Sequence, residues 1–130
     1  MNGSTLAAVA WAGSPGHIRV YSSDGTKVIE RGYDGKDWFT GSFNKPGQKV
    51  AAVNLSSHGI RVYVTNGGTT QEYGYDGNGW FNGGLSISGE VVGAATFGAD
   101  KIRVYCRVGN GIVEKCYDGK GWYDGGYSPS

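Results

Sequence analysis

Residues 60–80 read IRVYVTNGGTTQEYGYDGNGW, and this stretch decides the fold because the chain contains two further versions of it. The tetrapeptide Ile-Arg-Val-Tyr begins at Ile18, Ile60 and Ile102, at a constant spacing of 42 residues. Each copy leads to a Tyr-Asp-Gly turn, and a tryptophan follows five residues after the tyrosine of that turn. A fixed period of about 20–50 residues is typical of solenoids, propellers and other repeat arrays.

Each repeat unit has the pattern of four short strands. In the first unit, apolar or alternating runs occupy 6–11, 18–22, 28–33 and 38–43, and Asp-Gly pairs stand in two of the turns between them. Asp-Gly between β-branched and aromatic runs indicates a hairpin, and no run has a helical period. Four strands in about 40 residues are typical of a propeller blade. We expect a single all-β domain, 1–130, with blades at approximately 5–48, 49–90 and 91–130.

Three blades are too few for a closed ring, because propellers have about four to eight. The sequence therefore predicts a homodimer in which two chains close one six-bladed β-propeller. A monomeric trefoil, which also uses three units of about 40 residues, is the structural alternative. The grouping of the strands in consecutive fours favours blades.

Composition argues against several classes of function. A net charge of +1, from 12 basic and 11 acidic residues, gives no field that would attract nucleic acid. No apolar stretch approaches the roughly 18 residues of a membrane span, and no basic residue precedes the apolar run 6–11, as a Sec-type signal requires. No His or Cys spacing fits a zinc site, so we expect neither a metal nor a cofactor.

An arginine and a glutamate recur eleven residues apart in every unit. The pairs are Arg19 and Glu30, Arg61 and Glu72, and Arg103 and Glu114. If each pair spans a hairpin, both side chains project from one face, and the tyrosine three residues after the glutamate projects from the other. The Arg–Glu pair of one blade then meets the Tyr and Trp of the next blade.

A charged pair opposed by aromatic rings suits a sugar. Arginine donates a planar set of hydrogen bonds, a carboxylate accepts from hydroxyls, and aromatic rings cover the C–H face of a pyranose. Simpler interpretations exist for each part: an ordinary cross-strand Arg–Glu ion pair, a tryptophan that only fills the core, and aspartates (Asp34, Asp76, Asp118) that only form turns. The position held by Trp11, Leu55 and Phe97 is interpreted as packing.

Taken together, these motifs resemble the fucose-binding lectins, the fungal orange-peel type and its short bacterial relatives, along essentially the whole chain. The resemblance implies a six-bladed propeller in which Arg, Glu and a small residue of one blade bind fucose, and two aromatic residues of the next blade enclose it. Carried over, the first site is Arg19, Glu30 and Ser42 with Tyr75 and Trp80. The second is Arg61, Glu72 and Gly84 with Tyr117 and Trp122. The third is Arg103, Glu114 and Gly126, completed by Tyr33 and Trp38 of a partner chain.

Two other classes of function compete with a lectin. A propeller glycosidase needs two carboxylates at a defined separation, whereas each unit offers one in the right place. A protein-interaction scaffold does not explain why the Arg–Glu spacing is constant while the turn between the two residues varies. The repeated constellation thus predicts a non-enzymatic, multivalent sugar-binding protein, and the resemblance implies that its ligand is terminal α-L-fucose on glycans, including fucosylated cell-surface glycoconjugates.

Overall fold

The computed structural model describes residues 5–129, which form twelve strands in three four-stranded antiparallel sheets. The first sheet contains β1 (Leu6–Trp11), β2 (His17–Ser23), β3 (Lys27–Tyr33) and β4 (Trp38–Pro46). The second contains β5 (Lys49–Asn54), β6 (Ile60–Asn66), β7 (Thr69–Tyr75) and β8 (Trp80–Ser88). The third contains β9 (Glu90–Phe97), β10 (Lys101–Val108), β11 (Gly111–Tyr117) and β12 (Trp122–Asp124). No helix in this part of the chain is long and apolar enough to cross a membrane.

Within each sheet the strands pair in chain order, which confirms three propeller blades and excludes the trefoil. The predicted strands are present, although β4 continues to Pro46, beyond the expected 38–43. Tyr21 pairs with Glu30, and Arg19 pairs with Gly32, across β2 and β3. Paired residues lie on the same face of a sheet, so the arginine and the glutamate share a face as the hairpin argument predicts.

Two hydrophobic cores hold the blades together, one in each gap between neighbouring sheets. The first core includes Tyr21 and Phe43 from the first sheet and Val62 from the second. The second core includes Tyr63 and Leu85 from the second sheet. Tyr21, Tyr63 and Val62 are completely inaccessible to solvent. Each blade therefore depends on its neighbour to bury its apolar face.

Residues equivalent to these core residues also lie on the two outer faces of the three-blade array. There, no further blade covers them among residues 5–129. Tyr127 is 49% exposed, whereas its equivalents Phe43 and Leu85 are 1% and 3% exposed. Val92, which lies beside Tyr127, is 57% exposed. At the other end Trp38 is 46% exposed. Apolar faces of this kind are typical of surfaces that contact another protein.

Candidate functional site

Two cavities lie in the gaps between the blades, and the five candidate positions predicted from the sequence line both. We call the one between the first and second blades the first cavity, and the one between the second and third blades the second cavity. The first is lined by Arg19, Glu30, Ser42, Tyr75 and Trp80. The second is lined by Arg61, Glu72, Gly84, Tyr117 and Trp122. The structure thus brings together, across each gap, the residues that the sequence assigns to the first two sites.

The third set of candidate residues is divided between the two ends of the array. Arg103, Glu114 and Gly126 lie on the outer face of the third blade, and Tyr33 and Trp38 lie on the outer face of the first. A Cβ at Gly126 would meet nothing within 4 Å, whereas one at the equivalent glycine of the second blade would meet a tryptophan at 3.5 Å. Within residues 5–129 no Tyr–Trp pair of a following blade faces this half-site.

The arginine of each cavity is held by an aspartate, which corrects the expectation that it pairs with the glutamate. Arg61 Nη1 donates to Asp76 Oδ1 at 2.8 Å, and Arg61 Nη2 donates to Asp76 Oδ2 at 3.2 Å. Nη1 also donates to the Ile60 carbonyl at 2.9 Å. Arg19 binds Asp34 with the same two distances. The aspartate of the Tyr-Asp-Gly turn therefore orients the guanidinium rather than only forming the turn.

The first cavity adds a histidine and the Trp11 ring to this arrangement, whereas Phe39 has an equivalent in Phe81, whose ring centroid lies 5.2 Å from the Arg61 guanidinium. His17 Nδ1 lies 2.7 Å from Asp34 Oδ1, the oxygen that Arg19 also contacts. The hydrogen bonds from Arg19 and then from His17 lower the pKa of Asp34 below its ordinary value. The Arg19 guanidinium lies 5.0 Å from the Phe39 ring centroid and 5.2 Å from that of Trp11. Ionic and cation–π contacts together fix this side chain at the cavity wall.

The glutamate of each cavity is buried, and the tyrosine of Ile-Arg-Val-Tyr donates a hydrogen bond to it. Tyr63 Oη donates to Glu72 Oε2 at 2.7 Å, and Tyr21 Oη donates to Glu30 Oε2 at 2.6 Å. Burial, together with the nearby charge of Glu72, raises the pKa of Tyr63 far above its ordinary value. The phenol is therefore a permanent donor that positions the carboxylate. The sequence did not reveal this role of the tyrosine.

A glycine on the fourth strand makes room for the glutamate. A Cβ at Gly83 would lie 2.1 Å from Glu72 Oε1, and a Cβ at Gly41 would lie 1.9 Å from Glu30 Oε1. The pairing register of β7 with β8 shifts between Gln71 and Tyr73, at the glutamate itself. The irregular ladder and the missing side chain together admit a carboxylate that a regular strand would exclude.

The tryptophan lines the cavity and fills the core at the same time. The Trp80 ring lies 4.6 Å from the Phe43 ring and 6.1 Å from the Tyr21 ring, both in the preceding blade. It also packs 5.3 Å from the Tyr75 ring, with which it forms one wall of the first cavity. The two interpretations of this residue, core plug and site residue, are therefore not exclusive.

Several cavity residues were missed or given another role from sequence. Trp11 lines the first cavity and Leu55 the second, although this position is interpreted from sequence as packing only. His58 and Asp100, from the loops after β5 and β9, also line the first and second cavities. The 42-residue period relates these two loop residues, so the repeat itself could have identified them.

Several solved structures have a fold similar to that of this chain. SapL1 lectin, in complex with α-methyl fucoside, is 33% identical with a TM-score of 0.85, covering 98% of this chain and 48% of that one. The Aleuria aurantia lectin, a six-bladed β-propeller, is 31% identical with a TM-score of 0.82, covering 98% and 46%. AofleA from Arthrobotrys oligospora, at 21% identity and a TM-score of 0.71, supports the fold alone, covering 98% and 43%.

The chain spans about half the length of these solved proteins. A search of curated protein sequences gave no match. The model of one protein family, described as the fungal fucose-specific lectins, matches residues 2–129. Because this match covers nearly the entire sequence, and because the blades and their 31–33% identity to solved lectins agree with it, the chain belongs to the family of fungal fucose-specific lectins.

Proposed function

We propose that this chain is a non-catalytic lectin that binds terminal α-L-fucose of glycans in the cavities between its blades. The observation that carries the proposal is the repetition of one constellation in both complete cavities: an oriented arginine, a buried glutamate and a Tyr–Trp wall. A family relative was solved with α-methyl fucoside, which supports the choice of sugar. Fucosylated glycans, including those on cell surfaces, are the proposed partners.

The arginine retains donors for a ligand. A guanidinium has five N–H groups, and Arg61 directs three of them to the Ile60 carbonyl and the Asp76 carboxylate. The Nε–H and one Nη2–H stay available for sugar hydroxyls or the ring oxygen. Because Asp76 holds the group in place, little side-chain entropy is lost when the sugar binds.

The glutamate supplies the acceptors. Tyr63 Oη donates one hydrogen bond to Glu72 Oε2. Because a carboxylate has about four lone-pair positions, Glu72 can accept further hydrogen bonds from sugar hydroxyls. Tyr117 and Trp122, with Ile102, provide the apolar wall of the second cavity. Apolar C–H groups and the methyl group of fucose pack on such a wall, which shields the polar contacts from water.

The lining of the cavities supports binding rather than catalysis. Glu30 is the one carboxylate among the described residues that line the first cavity. In the second cavity Asp100 lies with Glu72, and hydrogen bonds from the backbone and then the side chain of Ser56 lower the pKa of Asp100. Glycoside hydrolysis uses a pair of carboxyl groups on either side of the scissile bond. In the third blade, moreover, the hydrogen bond from Tyr105 and then that from the backbone of Tyr127 lower the pKa of Glu114. A general acid needs a raised pKa instead.

We further propose that a second copy of the chain closes the ring and completes the third site. The outer faces described above carry Tyr127 at one end and Trp38 at the other, and each is exposed where its equivalents are covered. A partner's Tyr33 and Trp38 would then face Arg103, Glu114 and Gly126. Multivalency of this kind raises the avidity for a surface that carries many fucose residues.

The specificity of the cavities tests the proposed function. α-Methyl L-fucoside is expected to bind at least roughly tenfold more tightly than α-methyl D-galactoside or D-mannoside, because the apolar wall rewards a methyl group by about 1–3 kcal/mol. Isothermal titration calorimetry measures the difference. α-Methyl L-galactoside, which replaces the methyl of fucose with a hydroxymethyl, isolates the contribution of that group. Equal affinities for all four glycosides would contradict the proposal.

Gly83→Ala tests the positioning of the glutamate. The added methyl would overlap Glu72 Oε1, so the carboxylate must move, and overpacking of this kind costs about 1–3 kcal/mol. We expect affinity at the second cavity to fall roughly tenfold while the first cavity keeps its affinity. Gly111→Ala is the matched control, since the nearest atom to its added Cβ would be 4.0 Å away. An unchanged second cavity would show that the position of Glu72 is unimportant for binding.

A further inference from the structure

The two complete cavities differ greatly in size although the same arginine, glutamate, tyrosine and tryptophan positions line both. The first has a volume of about 190 Å³ and the second about 720 Å³. Sites for drug-sized ligands generally range from about 300 to 1,000 Å³. The first cavity is thus of a size for one monosaccharide, and the second has space for more than one sugar ring.

Substitutions at the rim account for the difference. Trp11 stands in the first cavity where Leu55 stands in the second. The indole of Trp11 stacks on the His58 imidazole, which comes from the next blade, with ring centroids 6.2 Å apart and planes inclined by 23°. These two rings bridge the gap between the first and second blades. No pair of rings closes the second cavity in this way, because Leu55 and Asp100 occupy the two positions.

The additional space of the second cavity is polar in the way that sugar hydroxyls require. Asp100 has a positive φ of 59°, like its equivalent His58 at 70°, so both residues occupy the same place at the rim. Ser56 fixes the Asp100 carboxylate: its backbone N donates to Oδ1 at 2.7 Å and its Oγ donates to Oδ2 at 2.9 Å. These hydrogen bonds lower the pKa of Asp100, so a charged acceptor lines the cavity at neutral pH.

Small residues line the second cavity next to Asp100 and leave that part of it open. Ala99, Gly119 and Gly121 line the second cavity beside Asp100. A Cβ at either glycine would meet nothing within 4 Å, so this part of the wall is open and its backbone is accessible to a ligand. The second cavity therefore combines volume, a fixed carboxylate and exposed backbone next to the Arg61–Glu72 constellation.

We infer that the second cavity binds fucose together with the sugar residue to which it is linked, whereas the first cavity holds the fucose ring alone. The inference rests on the proposed function and specifies the ligand of each site. Hydroxyls of the linked sugar donate to Asp100 and to backbone carbonyls. In the first cavity Trp11 and His58 occupy the corresponding space.

Variants that retain one cavity test this difference. Arg19→Ala with Arg103→Ala leaves the second cavity, and Arg61→Ala with Arg103→Ala leaves the first. Each is titrated with α-methyl fucoside and with L-fucosyl-α1,6-N-acetylglucosamine. We expect the disaccharide to bind the second cavity at least about fivefold more tightly than the methyl glycoside, the gain from one or two added hydrogen bonds. We expect a ratio of about one in the first cavity.

Exchange of the rim residues provides a second test in the otherwise unchanged chain. Leu55→Trp with Asp100→His gives the second cavity the rim residues of the first. The disaccharide and α-methyl fucoside should then bind the second cavity with about equal affinity. The test is independent of whether the arginine variants fold. Equal ratios in both cavities, or a larger ratio in the first, would overturn the inference while leaving fucose binding intact. Failure of α-methyl fucoside to bind either cavity would overturn the proposed function, and the inference with it.

Discussion

Arg61→Ala is expected to abolish sugar binding at the second cavity while the chain stays folded. The substitution removes both N–H groups that are free to donate to the sugar and leaves the buried Glu72 as the one charged group of the constellation. Loss of one charged partner in a largely desolvated site costs roughly 2–4 kcal/mol, about 30- to 800-fold in affinity. Calorimetry with α-methyl fucoside should therefore lose one class of site.

The effect on folding should be small by comparison. The partner of Arg61, Asp76, has a side chain 53% exposed to solvent, and ion pairs at that level of exposure contribute about 0–1 kcal/mol. Arg31→Ala is the matched control, because this exposed arginine donates to Thr40 on the surface and lines neither cavity. If Arg61→Ala instead unfolds the protein while binding per folded molecule is unchanged, the role of the arginine is structural.

The repeat explains why so much of the fold could be predicted. Three copies of Ile-Arg-Val-Tyr at one spacing require three equivalent units, and the alternation within a hairpin fixes which residues share a face. Arg61 and Glu72 lie on one face, and Tyr75 lies on the other, as strand geometry requires. The repeat and the alternation of side chains together predict which gap between blades each of these residues lines, and no side-chain contact has to be known.

The partner of the arginine could not be predicted in the same way. The pairing of Ile60 with Tyr75 places Asp76 beside the start of β6, within reach of the guanidinium. Asp-Gly is also a strong turn signal, and a local interpretation accounts for the aspartate completely. The choice between Asp76 and Glu72 depends on side-chain reach and on the competing hydrogen bond from Tyr63, which periodicity does not contain.

The size of each cavity could not be predicted from the sequence either. Trp11, Leu55 and Phe97 share one position at the end of a strand, where an apolar residue has the same pattern whether it is buried in a core or lines a cavity. His58 and Asp100 lie in loops whose sequences differ. Whether these residues meet across the gap depends on loop conformation, in particular on the positive φ that both adopt.

Two copies of the chain are expected to form the unit that binds fucose in solution. Two chains of three blades each form a ring whose number of blades, about six, lies in the range of known propellers. Such a ring has one binding site in each gap between blades and covers both apolar outer faces. Sedimentation or light scattering should give the mass of two chains. Calorimetry should give close to three fucose per chain, because the two cross-chain sites join the four that lie within chains.

Trp38→Ala connects this assembly to binding, because Trp38 lines no complete cavity within residues 5–129 and can contribute to a site only through a partner. Its loss should take the count toward two fucose per chain and weaken the dimer, since a 46% exposed indole at the outer face would be buried on association. Arg61→Ala is the control: it should remove a site within the chain without changing the mass, because its effect on folding is expected to be small. A sugar-binding monomer, or a count of two in the unmodified protein, would exclude closure by a second copy, because the third half-site would then have no wall to bind against.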